Sequence, residues 1–400
     1  MSIQIIGGTY REIDFDGKPH DIFGSGLRAA KFVLENSKTK VRLHTAGNSE
    51  VKEHLQQYTS IYKNFEFDIH NSDQILTFKY YFSLDEPRIL PDPRTIKKIP
   101  LLSVSCDNLI CYGMLDGEYK TDCQKVVYDP QTSLNPVLFS KCGKAEELIY
   151  VVNNTESKSI SNCETEHDML EFFFDKELVK ALIVKNGPYG AKLYTSKDKF
   201  ENIPSYRTNN VSKIGSGDVF TSAFAYFWFN QQESLLQCAI NASKATANYC
   251  DMDTYSIKAL DDFQFSALAF QEGVLASKQV YIAGPMFSLS DVILVDKIRE
   301  VLLGFGVKVF SPYHDIGYGN EREIAEADLK GIEESDIVFT VLDGLDSGTL
   351  IELGHLIKTG KKIIGYHRTV EKKSLLMLET ANIEYFQDLT TALYHVIWNL

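Results

Sequence analysis

DIVFTVLDGLDSGTLIELGHLIKTGKKIIGY, residues 336–366, contains a complete structural cycle. The run IVFTVL is too short for a helix and suits a strand covered on both faces. DGLDSG follows as a turn, LIELGHLIK has helical spacing, Gly360 stops it, and KKIIGY begins another strand. Strand, helix and strand in that order make two parallel strands joined by a crossover. Working outward, the cycle repeats: VYIAG at 280–284, a helix over 290–304, KVFSP at 308–312, a helix around 324–333, and a last helix ending at Trp398. About five strands predict a small doubly wound parallel sheet of the flavodoxin or Rossmann type.

Upstream the same alternation runs on a larger scale. Strands are predicted over 3–6, 41–44, 101–105, 126–129, 148–152 and 181–185, followed by an alanine-rich helical stretch over 220–250. The whole chain is therefore α/β. Four hundred residues exceed one core, and the boundaries read as a domain over 1–262, a linker or connecting helix over 263–277, and a second domain over 278–400.

A net charge of −13 works against binding a nucleic-acid polymer, which needs clustered Lys and Arg. Small anions remain accessible through backbone amides at helix starts. No run of eighteen apolar residues occurs and the N-terminus has no basic start, so the expectation is a cytoplasmic protein off the membrane. Seven cysteines without CxxC spacing read as reduced, mostly buried thiols.

In open α/β sheets ligands sit beyond the carboxyl ends of the strands. Those positions are Gly284 and Pro285, residues 311–315, and residues 343–348. Glu352 follows in the opening turns of a helix, whose positive N-terminal end predicts a carboxylate ionised at neutral pH. Ile324, Asp328 and Ile332 share one face of the preceding helix, which turns Asp328 toward the core. Converging carboxylates suit glycosidic chemistry, where one meets the anomeric carbon and another handles the leaving group's proton. Against these roles stand plainer ones: Asp346 as a helix cap, Glu352 as a surface residue, Tyr281 as core. His314 and His355 read as structural, and no metal site is expected in this domain.

The segments VYIAGPMF, DLKGIEESDIVFTVLD and DSGTLIELGHLIKTGKKIIGY resemble the nucleoside 2-deoxyribosyltransferase family in order and spacing, over about 120 residues. The resemblance implies Glu352 as the nucleophile forming a glycosyl intermediate, Asp328 and Asp346 as its companion aspartates, and Tyr281 as an aromatic hydroxyl beside it. It implies no cofactor for this domain. Gly284, Ser288, Ser347 and Gly348 are candidate substrate contacts, the two serines for a 5′-phosphate. Transfer to a second base and hydrolysis remain open.

In the first domain KIGSGDVF (213–220) places glycines ahead of a helix, where amides converge on an anion, and Asp218 where it can accept a proton. With IIGGTYREID (5–14), GSGLRAA (24–30), NNTE (153–156) and KNGPYGAKLY (185–194) it resembles the PfkB carbohydrate and nucleoside kinase family, hence a ribokinase-like α/β fold. The resemblance implies Asp218 as catalytic base, Gly215, Ser216 and Gly217 as anion hole, Asn153 and Glu156 on the magnesium and phosphate side, Asp14 as a sugar-hydroxyl ligand, and ATP with Mg2+ as cofactors. Ser212 and Lys213 stand where the family has Asp-Thr, and Arg28 where Asn is typical. GSGLRA also fits a loose dinucleotide pattern without a preceding strand.

Together these readings predict a nucleoside- or nucleotide-processing enzyme that cleaves or transfers an N-glycosidic bond, its first domain phosphorylating or binding a nucleoside or sugar. The alternative is a regulatory or defence effector whose PfkB-like domain senses a ligand while the second domain hydrolyses nucleotides or NAD. A homo-oligomer is the expected assembly.

Overall fold

The computed structural model describes residues 2–15, 21–99, 102–132, 135–230, 233–260, 263–268, 273–317, 321–381 and 383–400, excluding the side chains of 21, 259 and 321–325. It divides into two compact units: Met1–Thr208 with Ser212–Ala269, and Asn209–Val211 with Phe270–Leu400.

The first unit contains strands β1 (Ser2–Ile6), β2 (Arg11–Asp14), β3 (Asp21–Ile22), β4 (Lys40–Gly47), β5 (Phe65–Asn71), β6 (Thr77–Tyr80), β7 (Arg88–Leu90), β8 (Leu102–Tyr112), β9 (Tyr119–Asp129), β10 (Gly143–Asn153), β11 (Ala181–Lys185), β12 (Ala191–Ser196), β13 (Lys199–Ile203), β14 (Ser205–Tyr206) and β15 (Ala267–Leu268). Nine form one sheet in the order β13-β12-β11-β10-β9-β8-β1-β4-β5. It is parallel from β11 to β5, and β12 and β13 run antiparallel at its edge. Apolar runs such as Ile149 to Val152 are buried because both faces are covered. One face packs Ile3, Ile5 and Phe224, the other Ile6, Tyr128 and Tyr150. The helix Ser216–Asn230 is apolar nearly all round and accordingly buried along its length.

Two features depart from the sequence reading. β8, β9 and β10 are longer than the expected apolar runs, because their first halves alternate buried and open residues. A second sheet, β3-β2-β6-β7, escaped the reading altogether, its strands being short and only half-buried. In the stretch taken as linker, Ala267–Leu268 pairs with Ser205–Tyr206, and Leu275–Ser277 makes a single turn.

The second unit holds β16 (Gln279–Ala283), β17 (Lys308–Phe310), β18 (Ile337–Val341), β19 (Lys362–Tyr366) and β20 (Glu384–Phe386), all parallel in the order β17-β16-β18-β19-β20. Helices Leu289–Gly304, Glu321–Glu334, Ser347–Thr359 and Leu389–Trp398 intervene or follow. The sheet grows first toward β17 and then back past β16 to β18. The crevice of a doubly wound fold therefore falls between the ends of β16 and β18.

Candidate active site

Tyr281 lies mid-strand in β16 and is fully buried, its ring stacked on Phe310 of β17 at 5.9 Å. Its hydroxyl donates to Asp328 Oδ1 and stands 3.4 Å from Glu352 Oε2. Asp328 comes from the helix Glu321–Glu334 and Glu352 from the helix Ser347–Thr359. One phenol thus bridges two carboxylates from two helices that pack beside the switch point. Gly331 makes this possible: a Cβ there would come within 2.3 Å of the Phe310 ring. Sequence reasoning missed both Phe310 and Gly331; the Gly inside an otherwise helical pattern was the available signal. Ile332 is buried as expected, whereas the Ile324 side chain lies outside the described residues.

The expectation of an ionised Glu352 is corrected. It is the sixth residue of its helix, past the first turn where the dipole acts. Burial, reinforced by the neighbouring Asp328 charge, pushes it up to about 7, with the Tyr281 hydrogen bond pulling the other way. Burial also raises Asp328, while hydrogen bonds from Tyr281 and Glu352 hold it back. The two carboxyls therefore titrate as a pair whose last proton is held well above the usual carboxylate range. Burial, followed by the two carboxylates, drives the Tyr281 phenol far upward, so it remains a donor.

Asp346 does not join this trio directly. It caps its helix, accepting from the Thr349 amide at 2.9 Å and hydroxyl at 3.2 Å, and touches Glu352 only through its charge. Ser288 likewise caps Leu289–Gly304 in a reciprocal box with Asp291, and its hydroxyl meets Ser290 at 2.8 Å. Ser347 and Gly348 are exposed at the start of their helix. Gly284 follows β16 where a Cβ would meet Val341 at 3.0 Å. Asp343 clamps the loop after β19 through the Arg368 and Thr369 amides and the Thr369 hydroxyl. His314 is held between Ser311 and Asp296, and His355 is exposed. His367, overlooked in the sequence, is buried, its Nδ1 without a hydrogen-bond partner among the described residues, and burial lowers its basicity.

In the first unit Gly215 adopts φ 77° and the helix Ser216–Asn230 carries Asp218 in its first turn. Both oxygens of Asp218 are engaged: Oδ2 accepts from Arg28 at 2.9 Å and Oδ1 from Gln131 at 3.0 Å. Arg28 also grips Glu12 through two bonds, of 3.1 and 2.6 Å. A Cβ on Gly215 would lie 2.1 Å from Arg28 Nε, so the arginine fills the space beside that glycine. Burial raises Asp218 to about 6, with Arg28 opposing and Asp129 and Glu12 adding to it. Asn153 and Glu156 cap their own helix reciprocally, at 2.8 Å each way. Burial, then the Asp129 charge, lifts Glu156 to about 7. Asp129 accepts from Lys185 at 2.8 Å and Thr221 at 2.9 Å. Lys213 donates to Ser216 at 2.8 Å, and burial lowers its basicity. Gly217 lies against Lys185, 3.5 Å from its Nζ to a notional Cβ. Asp14 ends β2 opposite Tyr80. Glu12, two residues earlier and so on the same face, is the carboxylate that meets Arg28.

Two family models match this chain. Residues 280–387, which include Tyr281, Asp328 and Glu352, match the nucleoside 2-deoxyribosyltransferase model. Residues 141–250, which include Asn153, Glu156 and Asp218, match the pfkB family carbohydrate kinase model. An uncharacterized protein of Ureaplasma parvum is 22% identical over 151 residues, 30% of this chain and 96% of that one. Among solved structures, a ribokinase from Thermotoga maritima has 16% identity and TM-score 0.46, covering 66% of this chain and 99% of its own. A ribokinase from Giardia lamblia has 14% identity and TM-score 0.47, covering 65% and 99%. Among the described residues no helix is long and apolar enough to cross a membrane.

Proposed function

We propose that the second unit breaks the N-glycosidic bond of a nucleoside or nucleotide, with Glu352 as nucleophile and Asp328 as its proton partner. The carrying observation is the Tyr281 hydroxyl set between the two carboxylates; burial raises both, which supports a pair sharing one proton. Passage of that proton from Glu352 to Asp328 leaves a carboxylate free to attack and a carboxylic acid able to give the departing base its proton. Glu352 then bonds to the anomeric carbon as the bond to the base nitrogen breaks. Water or a second base attacks the same carbon and gives its proton to the Asp328 carboxylate, while the ester bond to Glu352 breaks to restore that carboxylate. Tyr281 fixes the distance between the pair.

Glu352→Ala tests this. Release of free base from a panel of nucleosides, nucleoside monophosphates and NAD, followed by mass spectrometry, should fall by about a hundredfold or more with the fold retained. Unchanged turnover removes Glu352 from the mechanism.

For the first unit the geometry favours ligand binding over phosphoryl transfer. The residues do not fit the ATP and Mg2+ that the family likeness implies: Asp218 has both oxygens taken, Arg28 fills the space at Gly215, and Glu156 caps its own helix. The chain then reads as a sensor joined to a nucleotide-degrading enzyme. Incubation with ATP, magnesium and nucleosides separates the two roles, since a sensor yields no phosphorylated product.

A further inference from the structure

Cys106 on β8 and Cys123 on β9 stand directly opposite each other in a parallel pair, their sulfurs 3.4 Å apart. Neighbouring strands lie roughly 4.8 Å apart. That falls inside the Cα separation of about 4.4–6.8 Å that a disulfide spans. Both are free thiols. They sit side by side in the first halves of their strands, on the covered face; Cys106 is half-buried and Cys123 is buried. We propose that Cys106 and Cys123 form a reversible redox site, closed to an intramolecular disulfide by a peroxide.

The chemistry balances with hydrogen peroxide as oxidant. One sulfur attacks as thiolate; the O–O bond breaks, hydroxide leaves, and a sulfenic acid remains. The second thiol loses its proton and attacks that sulfur, the S–O bond breaks, and the S–S bond forms. Each sulfur gives up one electron, peroxide takes both, and the thiol protons end in two molecules of water. The hydrogen bond between the thiols raises Cys106 and lowers Cys123, so the second sulfur carries the thiolate character. Cys111 lies farther along β8, and burial pushes it up and leaves it inert. The two linked strands continue to Tyr112, which donates to the Asp218 carbonyl at 3.1 Å, and to Asp129. A cross-link would therefore fix the relative position of the strands that bound the Asp218 cluster.

The test is peptide mapping of the full-length protein after graded hydrogen peroxide, alkylation of remaining thiols and digestion with trypsin. Cleavage after Lys120 separates the two cysteines. The expected product is a linked pair of peptides two hydrogens lighter than their sum, released by dithiothreitol, still formed in Cys111→Ser and abolished in Cys106→Ser. The proposal fails if both cysteines stay alkylated while other thiols oxidise, if either ends as a sulfinic acid without linkage, or if the link survives in Cys106→Ser. The map of Cys111→Ser decides the matter should that variant not fold, because Cys106 and Cys111 share one tryptic peptide.

Discussion

Glu352→Gln isolates the cost of holding a carboxylate beside Asp328 and Tyr281. A carboxyl whose folded value is raised keeps its proton in the folded protein at pH values where the unfolded chain has released it. Stability is therefore fullest below the unfolded value of 4.5 and is lost as pH rises through about 7. At about 1.4 kcal/mol per pH unit the interval amounts to roughly 3 kcal/mol. Partial exposure of the side chain screens part of this, leaving about 2 kcal/mol. Glutamine has the same shape and no titration, so the variant should match wild type at about pH 4 and exceed it by about 2 kcal/mol at about pH 8. Hydrogen exchange of the β16, β18 and β19 amides, measured across that range, reads the second unit alone. Parallel pH slopes for the two proteins would refute a raised Glu352 and with it the shared proton.

Tyr281→Phe removes a hydrogen bond that lowers Glu352, so base release should drop about tenfold or more and its alkaline limb, where the pair loses the shared proton, should move to higher pH. An unshifted limb would detach the phenol from the pair. Gly331→Ala would ordinarily favour a helix, but its methyl meets the Phe310 ring that supports Tyr281; a net loss of about 1–3 kcal/mol in urea unfolding is expected, and a gain would deny the contact. Arg28→Ala leaves Glu12 and Asp218 facing each other without their cation, at a cost of about 3–5 kcal/mol in the first unit. Calorimetry checks it, and a neutral result would mean the buried charges are otherwise compensated.

Much of the second unit was readable because parallel strands buried on both faces are apolar runs, and residues placed just after them line the crevice. Glu352 was reached that way, and Asp328 through the helical spacing it shares with Ile324 and Ile332. What periodicity cannot carry is the environment: the ionisation of Glu352 follows from its burial and from a neighbour on another helix, neither of which a helix start reveals. Asp346 illustrates the opposite case, since its spacing to Thr349 already fitted a cap. In the first unit the expected strands appear, but β2, β3, β6 and β7 are too short and too open for any pattern to register. The contact between Arg28 and Asp218 joins residues 190 positions apart, and only the assembled sheet brings them together. Arg28 was visible as a departure from the kinase pattern; the partner it had acquired was not.

That arginine has a consequence for any attempt to alter the region. Because it answers Glu12 and Asp218 at once and fills the space beside Gly215, replacing it alone by a neutral residue leaves two acids opposed. A variant without it needs a second change, at one of the two acids, made together with the first, so the three positions have to be exchanged as a set.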